Sequence, residues 1–350
     1  MEIGPSGDRF LEDSITFPVD DPSRAGEVRR AAVALAARQG FSEVEQGRVA
    51  IVATEAATNL SKHAQGGEII LRSLSPFEGG GMELLSLDRG PGITNIGLCL
   101  QDGYSTAGTS GNGLGSMQRL SDDFDISSTV GAGTVIMIRF AEKDSSNRPA
   151  ALGNLGAICL PLTGEEVCGD GWAVKATGGR TTFLMVDGLG HGPLAATAAH
   201  EAIRAFHYTP QTEPTEILEM LHAALRATRG AAVAVAEIDP ARAVLRFAGV
   251  GNIAGTILGP DRRQGLVSMS GTIGHTIRKV QTFEYQYPTD ATLVLHSDGL
   301  GSQWDLTRHA GIMNRHPSVI AGSLYRDYRR PRDDVTVLVV RDLKGQISSP

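Results

Sequence analysis

The sequence predicts two layered α+β domains in one chain, and three observations lead there. The chain has 350 residues, beyond the ~100–200 of a usual domain. A polar stretch with no apolar period, Glu142 to Pro149 (EKDSSNRP), separates two strand-like runs. Apolar patterns of period 2 and period 3.6 occur together on both sides of it. The expected division is a domain over 1–141, a linker over 142–150 and a second domain over 151–350.

In the first half the patterns read as a strand at Ser14–Val19 and helices at Pro22–Arg38 and Ser42–Ala64. Strands follow at Glu68–Leu74 and Met82–Leu87, then a Gly-rich loop, a helix at Leu114–Leu120 and two strands ending in Gly133–Phe140. In the second half, strands run to about Val186, and helices are expected near Pro193–Phe206 and Pro214–Thr228. Strands then return, up to Val335–Val340.

Composition narrows the function classes. Basic and acidic side chains number 32 and 39, a net charge of −7, with no Lys/Arg block; this argues against nucleic acid and anionic membranes as main partners. The longest apolar run, Ala31 to Ala37, is too short for a membrane span or a secretion signal. Cys99, Cys159 and Cys168 form neither a disulfide framework nor a CxxC pair, which suits a reducing cytoplasm. Glycine, at 43 residues, is about 12% of the chain against a usual ~7%, and the glycines cluster beside aspartates.

On the helix Ser42–Ala64, the residues Val49, Val52, Ala53, Ala56, Ala57, Leu60 and Ala64 share one apolar face. Glu55 and Asn59, four apart, stack at its edge. On the helix alone, a solvated border is the better reading of the pair. The next segments shift that balance. Asp88-Arg89-Gly90-Pro91-Gly92 puts a carboxylate at a strand end, able to accept from an exocyclic amine, before glycines that let a flat base approach. Gly108 to Gly115 leads into a helix, and backbone N–H groups in such a loop form an anion cradle. Gly131-Ala132-Gly133-Thr134 precedes the last strand. Each alone is an ordinary turn; the ordered set is not.

That set resembles the GHKL (Bergerat-fold) ATPases over about residues 10–140. Glu55-x-x-x-Asn59 matches the N box, Asp88-x-Gly90-x-Gly92 the adenine box, Gly111-x-Gly113-Leu114-Gly115 the phosphate box and Gly131-x-Gly133-Thr134 the last box. The stretch Leu100 to Thr106 is most similar to the switch serine kinases of bacterial stress signalling (RsbT-like). The resemblance implies an α/β sandwich that binds ATP, with Asn59 holding Mg²⁺ on the phosphates, Glu55 as base towards an acceptor serine, and Asp88 on adenine. It also implies Gly90, Gly92, Gly111, Gly113, Leu114, Gly115 and Thr134 around the nucleotide. No phosphoacceptor-histidine helix precedes these boxes, so a sensor histidine kinase is not expected.

In the second half, Asp170, Asp187, Asp298 and Asp333 stand at ends of expected strands, within Gly169-Asp170, Asp187-Gly188, Asp298-Gly299 and Asp333-Asp334. Hard divalent cations select oxygen ligands, and carboxylates from separate strands can converge on two ions. One isolated Asp-Gly is better read as a tight turn; two at the ends of very apolar strands, with a Gly-Asp and an Asp-Asp, make coincidence the poorer reading. His191 is a candidate general acid, although a histidine in a Gly-rich loop is more often a surface residue; Cys168 reads as packing.

These segments resemble the compact bacterial branch (SpoIIE/RsbX-like) of the PPM metal-dependent serine/threonine phosphatases, over about 151–343. Asp187-Gly-Leu-Gly-His-Gly-Pro193 and Gly249-Val-Gly-Asn-Ile253 extend the likeness. The resemblance implies a β-sandwich flanked by helices and two Mn²⁺ or Mg²⁺ ions. Asp187 would bridge the ions, the Gly188 carbonyl would join one, Asp298 and Asp333 would hold the other, and Asp170 would orient a metal-bound water. Asp333 is preferred over Asp334 as the ligand. The expected function is a bifunctional cytoplasmic switch, kinase and phosphatase, acting on a STAS-domain regulator in a partner-switching pathway. Two other readings are carried: a phosphatase gated by a non-catalytic ATP- and partner-binding module, and an anti-sigma protein that sequesters a sigma factor.

Overall fold

The computed structural model describes residues 14–64, 66–101, 113–142, 154–260 and 262–341. In chain order the first elements are β1 (Ser14–Val19), α1 (Arg24–Arg38), α2 (Glu43–His63), β2 (Gly67–Ser73) and β3 (Met82–Leu87). Next come α3 (Ile96–Cys99), α4 (Gly113–Leu120), β4 (Asp123–Thr129) and β5 (Gly133–Phe140). After residue 154 come β6 (Leu155–Leu160), β7 (Asp170–Thr177), β8 (Arg180–Gly188), α5 (Pro193–Tyr208) and α6 (Pro214–Ala224). Strands β9 (Ala231–Asp239), β10 (Val244–Val250), β11 (Ala254–Leu258), β12 (Arg263–Gly265), β13 (Gly271–Thr272) and β14 (Thr276–Ile277) follow. The last are β15 (Phe283–Gln286), β16 (Thr292–His296), α7 (Pro317–Tyr328) and β17 (Val335–Arg341).

The chain forms two compact units, and they are not the two halves of the sequence. Of the described residues, one unit takes 14–142 with Asp305–Asp327, and the other takes 154–304 with 328–341. The expected second domain therefore gives up Asp305–Asp327 to the first unit. Apart from Glu142, the expected linker 142–150 lies outside the described residues.

The first unit is built on an antiparallel sheet of order β1-β2-β3-β5-β4. Helix α2 starts at a capping box, in which the Ser42 hydroxyl accepts from the Glu45 N–H while the Glu45 carboxylate accepts from the Ser42 N–H. Its apolar stripe (Val49, Val52, Ala53, Ala56, Ala57, Leu60) packs with α1 onto Ile69, Leu71, Met82, Leu84, Ile136 and Ile138 of the sheet. The alternate residues Ile70, Leu85, Leu87, Val135 and Met137 point to the other face by strand pleat, and they are equally buried. The Asp305–Asp327 segment lies on that face: Ser318 bonds Glu83 and Arg139, and Gly322 packs against Leu87 and Val135. Strands buried on both sides read as near-continuous apolar runs, as β3 and β5 do.

Helix α7 was not among the expected helices, since only strands were expected after Thr228. Val319 and Ile320 are β-branched and Gly322 is mid-helix, so local propensity is weak. Burial replaces it: every residue from Pro317 to Arg326 is buried.

The second unit holds two five-stranded antiparallel sheets, β15-β10-β9-β8-β7 and β12-β11-β16-β17-β6, with a small β13-β14 ribbon. Helices α5 and α6 cover the first sheet through Ala199, Ala202, Phe206, Ile217 and Leu221, set on Leu184, Val186, Val233 and Val250. This is the sandwich expected for the second domain, flanked by helices on that face. Among the described residues of the chain, no helix is long and apolar enough to cross a membrane.

Candidate functional sites

In the first unit, Glu55 and Asn59 stand one turn apart on α2, both half-buried, and their side chains meet at the start of α4. A Cβ on Gly113 would lie 3.0 Å from Glu55 Oε2 and 3.5 Å from Asn59 Oδ1, so the absence of a side chain lets carboxylate, amide and helix N-terminus converge. Helix α4 begins at Gly113 with Leu114 and Gly115 in its first turn, which turns free N–H groups towards that point. Gly111 lies outside the described residues, as does most of the Leu100–Thr106 stretch.

The other boxes meet where β3 ends and β5 begins. Asp88 Oδ1 accepts from the N–H groups of Gly90 (2.8 Å) and Thr134 (3.2 Å), and the Asp88 N–H donates to the Thr134 carbonyl at 2.9 Å. Burial raises the Asp88 pKa, and those two N–H groups with the Arg326 charge counter it. Gly133 has φ +88°, and a Cβ there would overlap the Asp88 carbonyl, so the last box must be glycine where it crosses the adenine box. Gly92 meets the Thr129 carbonyl and Gly90 meets Ala64 in the same close manner. The Thr134 hydroxyl pairs with Ser128 at 2.8 Å.

In the second unit, register supplies the geometry. Asp170 and Asp187 are direct partners across β7 and β8, so both side chains stand on one face of the sheet. Asp170 is 5% exposed, and burial followed by the Asp187 charge raises its pKa far above the carboxylate range. Asp187 is pushed up to about 7 by burial, then by Asp298 and Asp333. Asp298 and Asp333 thus reach Asp187 from the ends of the other sheet, after β16 and before β17. The Gly188 N–H donates to the Gly169 carbonyl at 3.0 Å, tying the two strand ends together.

Asp333 and Asp334 differ in what they face. Asp334 is 2% exposed, and its two oxygens accept from the N–H groups of Leu162 (2.7 Å) and Gly169 (3.0 Å). Asp333 feels Asp298 most strongly after its own burial. The backbone therefore uses Asp334, while Asp333 faces the other carboxylates.

Asp170 Oδ2 and Asp187 Oδ2 are buried with no hydrogen-bond partner among the described residues. Buried carboxylate oxygens are costly when unmatched, and a hard cation is the partner that such all-oxygen donors fit. As they stand, no three His, Cys, Asp or Glu side chains among the described residues are grouped closely enough to form a ready ion cage. Register and charge, rather than a finished coordination shell, bring the four aspartates together.

Sequence reasoning missed Asn252, whose Nδ2 donates to Asp298 Oδ2 at 2.8 Å and which also bonds Asp187. Its signal was the Gly249–Ile253 segment at the crossing from β10 to β11. His191 is exposed and bonded to Glu165 at 2.7 Å, and Cys168 Sγ lies 3.6 Å from Cys159 Sγ. The Arg229 guanidinium lies beside Gly190.

Known proteins match both parts. Residues 19–140 match the histidine kinase-like ATPase domain family. The serine/threonine-protein kinase RsbT of Bacillus subtilis (strain 168) is 36% identical over 97 residues, spanning 28% of this chain and 73% of RsbT. The chain belongs to the RsbT family. The match to RsbT spans 97 residues; further along, residues 177–342 match the stage II sporulation protein E (SpoIIE) family. The phosphoserine phosphatase RsbX of the same organism is 26% identical over 193 residues, 54% of this chain and 92% of RsbX. A solved chain of the bacterial stressosome, described as a modular system adapted to control secondary messenger signalling, is 28% identical with a TM-score of 0.51; it covers 54% of this chain and 98% of its own. One chain thus joins an RsbT-like kinase-type domain to a PPM-type phosphatase domain of the RsbX/SpoIIE kind. The two domain types imply use of ATP and of metal ions.

Proposed function

We propose that this chain is a cytoplasmic two-activity switch that phosphorylates a serine or threonine on a STAS-domain regulator and removes phosphate from the same class of target. The carrying observation is the pairing in one chain of two opposed sites: Glu55 and Asn59 at the start of α4, and Asp170 opposite Asp187 with unmatched buried oxygens.

In the first unit, Asp88 accepts the adenine amine through the oxygen that Gly90 and Thr134 leave free. Asn59 would hold Mg²⁺, and the α4 N-terminus with Gly113, Leu114 and Gly115 would take the phosphates, joined in sequence by Gly111 of the same box. Glu55 accepts the proton of the acceptor hydroxyl. In the second unit, Asp187, the Gly188 carbonyl, Asp298 and Asp333 would hold two Mn²⁺ or Mg²⁺ ions, and Asp170 would orient the attacking water. Such ions supply a hydroxide-like nucleophile and screen the phosphoryl charge. The protein's own part is to fix these oxygens on rigid strand ends, where Asn252 ties Asp298 to Asp187.

The test mixes full-length protein, a co-encoded STAS-domain protein, labelled ATP and Mg²⁺, and reads phosphoserine by mass. Glu55→Gln should lower transfer about 10²–10⁴-fold while ATP still binds; Asp187→Asn should let the phosphorylated target accumulate. Transfer at the wild-type rate in Glu55→Gln, or phosphate release undiminished in excess EDTA, would overturn the reading.

A further inference from the structure

The nucleotide site of the first unit has a rear wall made by residues more than two hundred positions further along the chain. Arg326 Nη1 donates to the Asp88 carbonyl at 3.2 Å, and the Arg326 carbonyl accepts from the Arg89 guanidinium. The same Arg326 grips Asp327 with two donors, Nε to Oδ1 at 2.9 Å and Nη2 to Oδ2 at 3.2 Å. Asp327 Oδ2 lies 2.6 Å from His309 Nε2, and His309 Nδ1 lies 3.1 Å from the Thr129 hydroxyl. The side chains of Arg326, Asp327 and His309 are 4%, 9% and 2% exposed.

A continuous arch therefore runs Asp88–Arg326–Asp327–His309–Thr129, and it stands on two loops. One foot is the Asp88–Gly92 loop; the other is the turn from Thr129 to Thr134. These loops already interlock from the front, where Gly92 meets Thr129 and Gly133 meets Asp88. The arch closes them from behind. We infer that His309, Arg326 and Asp327 are positioning residues that aim the Asp88 carboxylate at an adenine amine, an inference resting on the nucleotide-binding reading above.

First, ions this buried are expensive, several kcal/mol each before their pairing is counted, and apolar residues would cover a sheet face at no such cost. A fork of fixed direction supplies orientation, which packing alone does not. Against its own burial, Asp327 is held down to about 2 by the hydrogen bonds from His309 and Arg326, so its carboxylate stays ionised over the ordinary pH range. Second, Asp88 Oδ1 is committed to two backbone N–H groups, which leaves Oδ2 for a ligand. Fixing the peptide of Asp88 from behind fixes where that oxygen points. The Arg326 charge also favours the ionised, accepting form of the Asp88 carboxyl.

The test uses the full-length protein and measures ATP and GTP binding calorimetrically, with melting curves alongside. Arg326→Met should weaken ATP by about tenfold or more and shrink the preference for ATP over GTP. Arg326→Lys, which keeps the charge and one donor, should recover part of both. In an Asp88→Asn background, Arg326→Met should add little, because both changes remove the same interaction; a merely structural residue would instead weaken both nucleotides alike and additively. Wild-type protein that binds ATP, with Arg326→Met unchanged in affinity and preference, overturns the inference. Wild-type protein that binds no ATP overturns the nucleotide reading instead. Should Arg326→Met fail to fold, hydrogen exchange on wild type decides: ATP should slow exchange in peptides spanning His309 and Arg326–Asp327, and unaltered exchange there refutes the arch.

Discussion

Glu83→Gln tests how firmly the Asp305–Asp327 segment is built into the first unit. Glu83 is fully buried; its carboxylate accepts from Arg72 Nε at 2.8 Å, Arg139 Nε at 2.7 Å and the Ser318 hydroxyl at 2.6 Å. Burial pushes its pKa up, yet the charges of Arg72 and Arg139 win and hold it at about 2, against 4.5 for a free side chain. At 1.36 kcal/mol per pKa unit that difference is about 3 kcal/mol, the order expected when one partner of a buried pair is removed. The folded value is depressed, so this stabilisation is complete above about pH 4.5 and is lost as pH falls towards 2. Hydrogen exchange of the β3 and β5 amides reads this unit alone. The variant should exchange about 100-fold faster at pH 7, and its difference from wild type should narrow as pH falls from 5 towards 2. A change under fivefold, or one that persists undiminished in acid, would refute the assignment of the stabilisation to ionised Glu83.

Two further outcomes are expected. Gly113→Ala places a methyl 3.0 Å from Glu55 Oε2, so phosphate transfer should fall about 10–100-fold in a labelled-ATP assay while ATP affinity changes less. Asp334→Asn sets an amide group against the N–H donors of Leu162 and Gly169 and should cost about 1–3 kcal/mol in urea unfolding, whereas Asp333→Asn should leave unfolding unchanged and weaken Mn²⁺ binding measured by calorimetry. The reverse pattern would reassign the two aspartates.

What could be read from the sequence was local. Glu55 and Asn59 could be paired because helical period is a short-range rule, and the bounds expected for β3 and β5 agree with the structure because each is an apolar run between turn signals. The same runs carried a signal that went unread: Met82–Leu87 and Gly133–Phe140 are apolar on both faces, which demands a cover on the second face. The cover itself could not be located that way, since nothing near Ser318 or Arg326 in sequence says that Glu83 and Asp88 are their neighbours. Asn252 was hidden for a like reason: it matters through Asp187 and Asp298, which lie at the strand ends of different sheets. The choice between Asp333 and Asp334 turned on the N–H groups of Leu162 and Gly169, more than 160 positions away.

The interleaving of the two units also sets an order of events during synthesis. Multi-unit chains ordinarily complete their N-terminal unit first, as it leaves the ribosome. Here the first unit lacks its second face until Asp327 has been made, long after residue 142. At ~5–20 residues per second that interval is about 10–40 s, during which Arg72, Glu83 and Arg139 on β2, β3 and β5 wait without Ser318. Strand β17 follows within a few residues, so the two units reach completion almost together. A gene fission at the polar stretch after residue 141 would therefore leave the first unit open on one side.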